Sequence, residues 1–167
     1  MVWGNACSGT PLAMARTVRR IATTPERIFE VLSEPESYAY WVVGSKDIRD
    51  ADPDWPSPGS RIHHSVGFGP LTIKDHTAVE DISRPRRLQL RAKARPLGTA
   101  RVTLELVPED GHTRVTMIED AADPLTAFVF NPLTHLLVRG RNEKSLERLA
   151  ELAEGRKQLA SGAAGSS

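Results

Sequence analysis
The chain has 167 residues and a formal net charge of +1, from 22 Lys and Arg against 21 Asp and Glu. That length fits one domain with a sizeable core, and the near-neutral balance argues against a general nucleic-acid binder, which needs a concentrated basic surface. A single cysteine, Cys7, excludes an internal disulfide or a cysteine metal cluster, and no apolar run reaches the roughly 18 residues of a membrane span.

Residues 1–13 have no hydrophobic period and are rich in small residues, so they read as a disordered extension, with Met14 standing just before the first strand-like run. Residues 15–22 (ARTVRRIA) form that strand. Thr24 then suits an N-cap and Pro25 the first helical position, and Ile28, Phe29, Val31 and Leu32 follow at helical spacing. Ser33-Glu34-Pro35 ends this helix, and a second short one runs from Pro35 to Tyr40. A strand is expected over 44–50, then a rigid loop over Asp52–Gly59 with its prolines.

From residue 60 onward strand signals dominate. Runs at 60–66, 71–82, 87–95, 99–107 and 113–120 are separated by short Gly, Pro and Asp turns, the pattern of an antiparallel meander. They alternate: Leu88, Leu90, Ala92 and Ala94 oppose Gln89, Arg91, Lys93 and Arg95, and Val102, Leu104 and Leu106 oppose Arg101, Thr103 and Glu105. One face is core and the other solvent, so the local cluster Arg84, Arg86, Arg87, Arg91, Lys93 and Arg95 reads mostly as a solvated strand face. Residues 135–155 are the only long helix, with Leu136, Leu146, Leu149, Ala150 and Ala153 on one broad side. No other element can cover the apolar face of the sheet. The fold expected is therefore α+β: a curved antiparallel sheet of six to seven strands wrapped around a long C-terminal helix, with two short helices after the first strand. Residues 156–167 end in a flexible SGAAGSS tail.

Several stretches carry a likeness to a known superfamily. Thr24-Pro25-Glu26-Arg27-Ile28-Phe29-Glu30-Val31-Leu32-Ser33 resembles the opening helix of polyketide cyclase/dehydrase-type members of the START-like (SRPBCC, helix-grip) superfamily. Tyr38-Ala39-Tyr40-Trp41 is similar to the aromatic end of its second helix, and Pro58-Gly59, Arg86-Arg87-Leu88 and Thr113-Arg114-Val115-Thr116 resemble stretches before its later strands. The likeness spans about residues 15–155. It implies a ligand-binding domain over 14–155 with a cavity between helix and sheet, in a superfamily whose members bind lipids, sterols, plant hormones or polyketides and include some enzymes.

Alternation suggests what faces that cavity. Val115, Met117 and Glu119 share a face; so do Leu71, Ile73, Asp75, Thr77 and Val79, and Ile62 with His64. A carboxylate or imidazole on an apolar wall has a shifted pKa and is a candidate for acid–base work, so Glu119, His64 and Asp75 are the candidate polar groups and the candidate catalytic residues. The alternative is that they sit at strand ends or bulges and meet solvent. The expected ligand-lining set adds Trp41, Ile62, Ile73, Leu90, Leu104, Met117, Arg139, Asn142, Leu146 and Leu149, and Phe128-Val129-Phe130 is a candidate apolar lid. Adjacent His63 and His64 point to opposite faces, and neither HxH nor HExxH occurs, so no metal and no cofactor are expected.

Three functions remain open at this point. The chain binds a small hydrophobic ligand (a polyketide, lipid or isoprenoid), or it is a polyketide cyclase or dehydratase with Glu119 or His64 moving a proton, or it is an interaction module like the ribosome-blocking toxins that share the fold. Expected partners are a small hydrophobic ligand, no nucleic acid, no stable membrane insertion, and self-association no higher than a homodimer; the absence of a secretory leader pattern makes a cytoplasmic location the expectation.

Overall fold
The computed structural model describes residues 15–68, 71–94, 98–122 and 132–156. In chain order these form β1 (Ala15–Ile21), α1 (Pro25–Ser33), α2 (Ser37–Trp41), β2 (Ser45–Ala51), β3 (Arg61–Phe68), β4 (Leu71–Ser83), β5 (Arg87–Ala94), β6 (Gly98–Glu109), β7 (His112–Ala121) and α3 (Pro132–Ala153). The strands make one sheet in the order β1-β7-β6-β5-β4-β3-β2, and every neighbouring pair is antiparallel. The meander runs from β2 to β7, and β1 joins its far edge, with α1 and α2 carrying the chain from one edge to the other. This is the helix-grip arrangement expected from the sequence. The expected extension at 1–13, the lid at 128–130 and most of the tail lie outside the described residues.

Local chemistry explains the elements. Thr24 is extended and accepts a hydrogen bond from the Arg27 amide (3.3 Å) while Pro25 opens α1, and Ile28, Phe29, Val31 and Leu32 are buried along one side. The Arg84-Pro85 break turns β4 back into β5, and Gly111, at φ +69°, makes the tight turn into β7 that a residue with a Cβ adopts only with strain.

Inward rows run across the strands. Ile82, Leu88, Leu104, Met117 and Thr17 form one row, and Val79, Leu90, Val102, Glu119 and Ala15 the next. A bulge between Val79 and Asp81 keeps β4 in step: without it Ile82 would face outward. Leu88, Leu104, Leu106 and Val115 meet Leu146, Leu149 and Ala150 of α3, and all are fully or almost fully buried. Side chains fasten the middle and the C-terminal end of the helix onto the body. The Glu154 carboxylate accepts from the Ala22 amide (2.9 Å), and the Ser145 hydroxyl accepts from the Val43 amide (3.2 Å).

The outer face is charged. Glu80 accepts hydrogen bonds from Gln89 and Arg101 at 2.9 and 2.7 Å and pairs with Arg91. Burial alone would raise the Glu80 carboxyl, but these donors outweigh it and bring it down to about 2. The arginines of β5 and β6 thus form a solvated, internally compensated surface, as the alternation implied.

The first turns of α3 correct one expectation. Leu136 is 68% exposed, as is Leu137: at 3.6 residues per turn Leu136 lies about 80° around the helix from Leu146 and about 140° from Leu149, off the buried side on which it was expected. At 22 residues the helix is about 33 Å long, and among its residues whose exposure is described Asn142 is the first that is buried. Periodicity sets which side of a helix faces the core but not how far the helix overhangs it.

Candidate functional site
Between α2, α3 and the sheet lies a cavity of about 160 Å³. Its position follows from side-chain size. The inward row beyond Glu119 reads Thr77, Ala92, Ala100 and Ala121 across four neighbouring strands, and three small side chains in register leave a space that α3 does not fill. Leu90, Val102 and Met117 make its floor, and Tyr38 and Trp41 of α2 its side wall. The two rings pack at 5.0 Å between centroids, tilted by 54°. The Tyr38 hydroxyl is anchored outside the cavity on the Leu32 carbonyl (2.9 Å). The Trp41 indole N–H is buried with no hydrogen-bond partner among the described residues.

One end of this apolar space is charged. Glu119 of β7 is buried, and its Oε2 pairs with the Arg141 guanidinium and accepts from Asn142 Nδ2 (3.0 Å). Arg141 also donates to Asn142 Oδ1 (3.3 Å) and is 42% exposed, so it spans from the buried carboxylate to solvent. Glu119 Oε1 accepts no hydrogen bond among the described residues. Glu119, Arg141, Asn142 and Ser145 all line the cavity. Together they offer fixed donors and an acceptor at one pole of an otherwise hydrocarbon wall, the composition of a small-molecule site.

A second polar group sits on the wall away from that pole. Thr77 lines the cavity, and its Oγ1 is 3.0 Å from His64 Nε2. His64 is buried on β3 directly across from Asp75 on β4. Burial lowers the His64 pKa, and the Asp75 carboxylate opposes that without cancelling it. Asp75 is itself fully buried at its side chain and accepts from the His76 amide (3.0 Å).

Of the residues expected to line a ligand site, Trp41, Leu90, Met117, Glu119 and Asn142 are in the cavity wall. Ile62, Leu104, Leu146 and Leu149 face inward but belong to the solid core. His64 and Asp75 face inward behind the wall, and Thr77 stands between His64 and the space. Only the backbone of Ile73 is described. Arg139 does not face the cavity: it is exposed on the overhanging part of α3 and pairs with Glu143 at 3.1 Å. Arg141 lines the cavity instead and pairs with Glu119, because a long side chain one position from Asn142 can curl back onto β7. The sequence held a signal for such a cation, since an inward Glu119 needs a charge partner. No cluster of three or more His, Cys, Asp or Glu able to hold a metal occurs among the described residues, and no helix among them is long and apolar enough to cross a membrane.

Comparison with known proteins agrees with this architecture. The structure of protein NE0264 from Nitrosomonas europaea superposes with a TM-score of 0.65 at 19% identity, covering 86% of this chain and 95% of that one. Protein TTHA0849 from Thermus thermophilus gives 0.64 at 16% identity over 86% and 99%, and protein SA2116 from Staphylococcus aureus, described as of unknown function, gives 0.65 at 10% over 85% and 94%. At these identities the likeness is one of fold. No curated protein matches significantly in sequence. The profile of the family described as polyketide cyclase / dehydrase and lipid transport matches residues 13–154, most of the chain and every described element from β1 through α3. The chain belongs to the polyketide cyclase / dehydrase and lipid transport family.

Proposed function
We propose that this protein binds a small, largely apolar molecule carrying one uncharged polar group, with the apolar part against Leu90, Val102, Met117 and Trp41 and the polar group at Glu119 and Arg141. The observation that carries this reading is the cavity itself: an apolar space with a single compensated charge pair at one end. Its volume of about 160 Å³ is close to that of an engineered ~150 Å³ cavity that takes up benzene, so the fit is to a ring or a medium chain. The charge pair selects the polar group. Arg141 already neutralises Glu119, so an anionic headgroup would compete for the guanidinium and strand a buried carboxylate, at a cost of several kcal/mol. A hydroxyl or carbonyl meets the Oε1 acceptor or the remaining Arg141 donors without that penalty.

The experiment is native mass spectrometry of freshly purified protein, followed by titration with 1-nonanol. Expected is a co-purified small apolar mass, or saturable 1:1 uptake of the alcohol that is lost in a folded Ala92→Leu variant. Neither bound mass nor uptake in the wild type would overturn the proposal.

One observation favours a second reading, that of a cyclase or dehydratase: Glu119 is a cavity carboxylate with one oxygen that accepts no hydrogen bond among the described residues. Such an oxygen beside a bound carbonyl compound is placed to take up a proton from the adjacent carbon. If Glu119→Gln leaves any measured turnover of a polyketide unchanged, that reading fails while ligand binding stands.

A further inference from the structure
We propose that Thr77 makes a second, donor-type contact to the ligand: its hydroxyl hydrogen points into the cavity because His64 occupies its oxygen, so the ligand carries a hydrogen-bond acceptor, such as a carbonyl oxygen, at the end remote from Glu119. This rests on the ligand-binding reading above and adds a chemical requirement to it.

Thr77 belongs to the row that creates the cavity, and its row-mates Ala92, Ala100 and Ala121 have no polar side-chain atom. It is therefore the polar side chain of that row. Its oxygen lies 3.0 Å from His64 Nε2, and the direction of that hydrogen bond decides what the cavity sees. If Nδ1 carried the ring hydrogen, a buried N–H would have no acceptor, because Nδ1 has no partner. Orphaned buried N–H groups are rarer than unfilled lone pairs, and leaving one costs about 1–3 kcal/mol. The alternative puts the hydrogen on Nε2, which donates to Thr77 Oγ1; the donor then left over is the Thr77 hydroxyl, which lines the cavity and can be satisfied by a ligand there, whereas an Nδ1–H behind the wall cannot. Burial keeps the ring from taking a second proton, so the ring has one N–H to give. The Thr77 hydrogen then has no acceptor among the described residues and is free to turn toward the space its residue lines.

The two polar contacts are well separated. Thr77 is on β4 and Glu119 on β7, three strand spacings apart, or about 14 Å measured across the sheet, a span that the curl of the sheet shortens. Both side chains reach into the same cavity of about 160 Å³, so the gap left for a ligand is shorter than this backbone span, and the eight carbons from carbinol to carbonyl in 9-hydroxynonan-2-one are enough to cross it. The ligand inferred is thus elongated and neutral, with a polar group at each end.

Two probes of equal carbon number test this: 1-nonanol, and 9-hydroxynonan-2-one, which adds the acceptor at the far end. Calorimetric titration gives the ratio of their dissociation constants for wild type, Thr77→Val and Thr77→Ser. Expected is a ratio that shifts about fivefold against the ketone in Thr77→Val and is restored in Thr77→Ser. An unaltered ratio in Thr77→Val overturns the inference and leaves the ligand-binding reading intact, whereas failure of both probes to bind wild type overturns that reading and the inference with it. The tautomer is read independently from the ring 15N shifts of His64: a protonated Nε2 is expected, and a protonated Nδ1 overturns the inference whatever the probes do.

Discussion
Glu119 on the last strand and Arg141 on the long helix form an ion pair across the seam that the helix must close, and Asn142 donates to the same carboxylate oxygen at 3.0 Å. The pair fastens α3 to β7 at the point where the core gives way to the cavity. It therefore serves the fold as well as any ligand. Removing Arg141 alone leaves a buried carboxylate with only the Asn142 amide. Arg141→Met is expected to cost about 2 kcal/mol, below the 3–5 kcal/mol of a fully buried broken pair because the guanidinium is partly exposed. Adding Glu119→Gln should recover much of that loss. Urea unfolding of both single variants and the double variant measures the coupling; strictly additive effects would contradict it.

The stability of the fold should depend on His64 below neutral pH. Its folded pKa lies below the ordinary 6.5, chiefly through burial, so between the two values the unfolded chain binds more protons than the folded one. Stability is then complete above about 6.5 and declines as pH falls toward and past the folded value. His76 is shifted in the same direction and adds to the trend. Thermal melts at pH 7.5, 6.5 and 5.5 should show a progressive fall in wild type and a shallower one in His64→Gln. A fall of equal slope in the variant would count against a buried neutral His64.

Two leucines on the same helix should respond differently to truncation. Leu146 is fully buried against the sheet, whereas Leu136 is 68% exposed. Leu146→Ala is expected to cost about 3 kcal/mol, from lost transfer energy and the void left behind. Leu136→Ala should stay within about 0.5 kcal/mol. Equal losses in chemical denaturation would show that the helix seats differently on the sheet.

Much of this architecture was legible in the sequence because strand alternation is a strict two-residue period. The inward faces of β5, β6 and β7, and of β4 as far as its bulge, follow from it directly, including the placement of Glu119 beside Met117 and Val115. Short Gly and Pro turns left only antiparallel neighbours, and the one long helix was the only available cover. What alternation does not carry is depth. Leu104, Leu146 and Ile62 share a face with the cavity wall but lie in filled core, because the space opens where Ala92, Ala100 and Ala121 fall side by side, and that coincidence depends on register between strands. Arg141 rather than Arg139 lines the cavity for a related reason: the overhang of α3 and the reach of a long side chain are tertiary properties.

The most direct test of the account is 13C-methyl NMR of Met117 during titration with 1-nonanol, with the methyls of Val18 on the outer face as reference. Met117 is in the cavity floor and Val18 is 51% exposed on the opposite side of the sheet. The account predicts a saturable shift of the Met117 methyl with stoichiometry of one and no shift at Val18. A Met117 signal that does not move while the alcohol binds elsewhere, or does not bind, would contradict it.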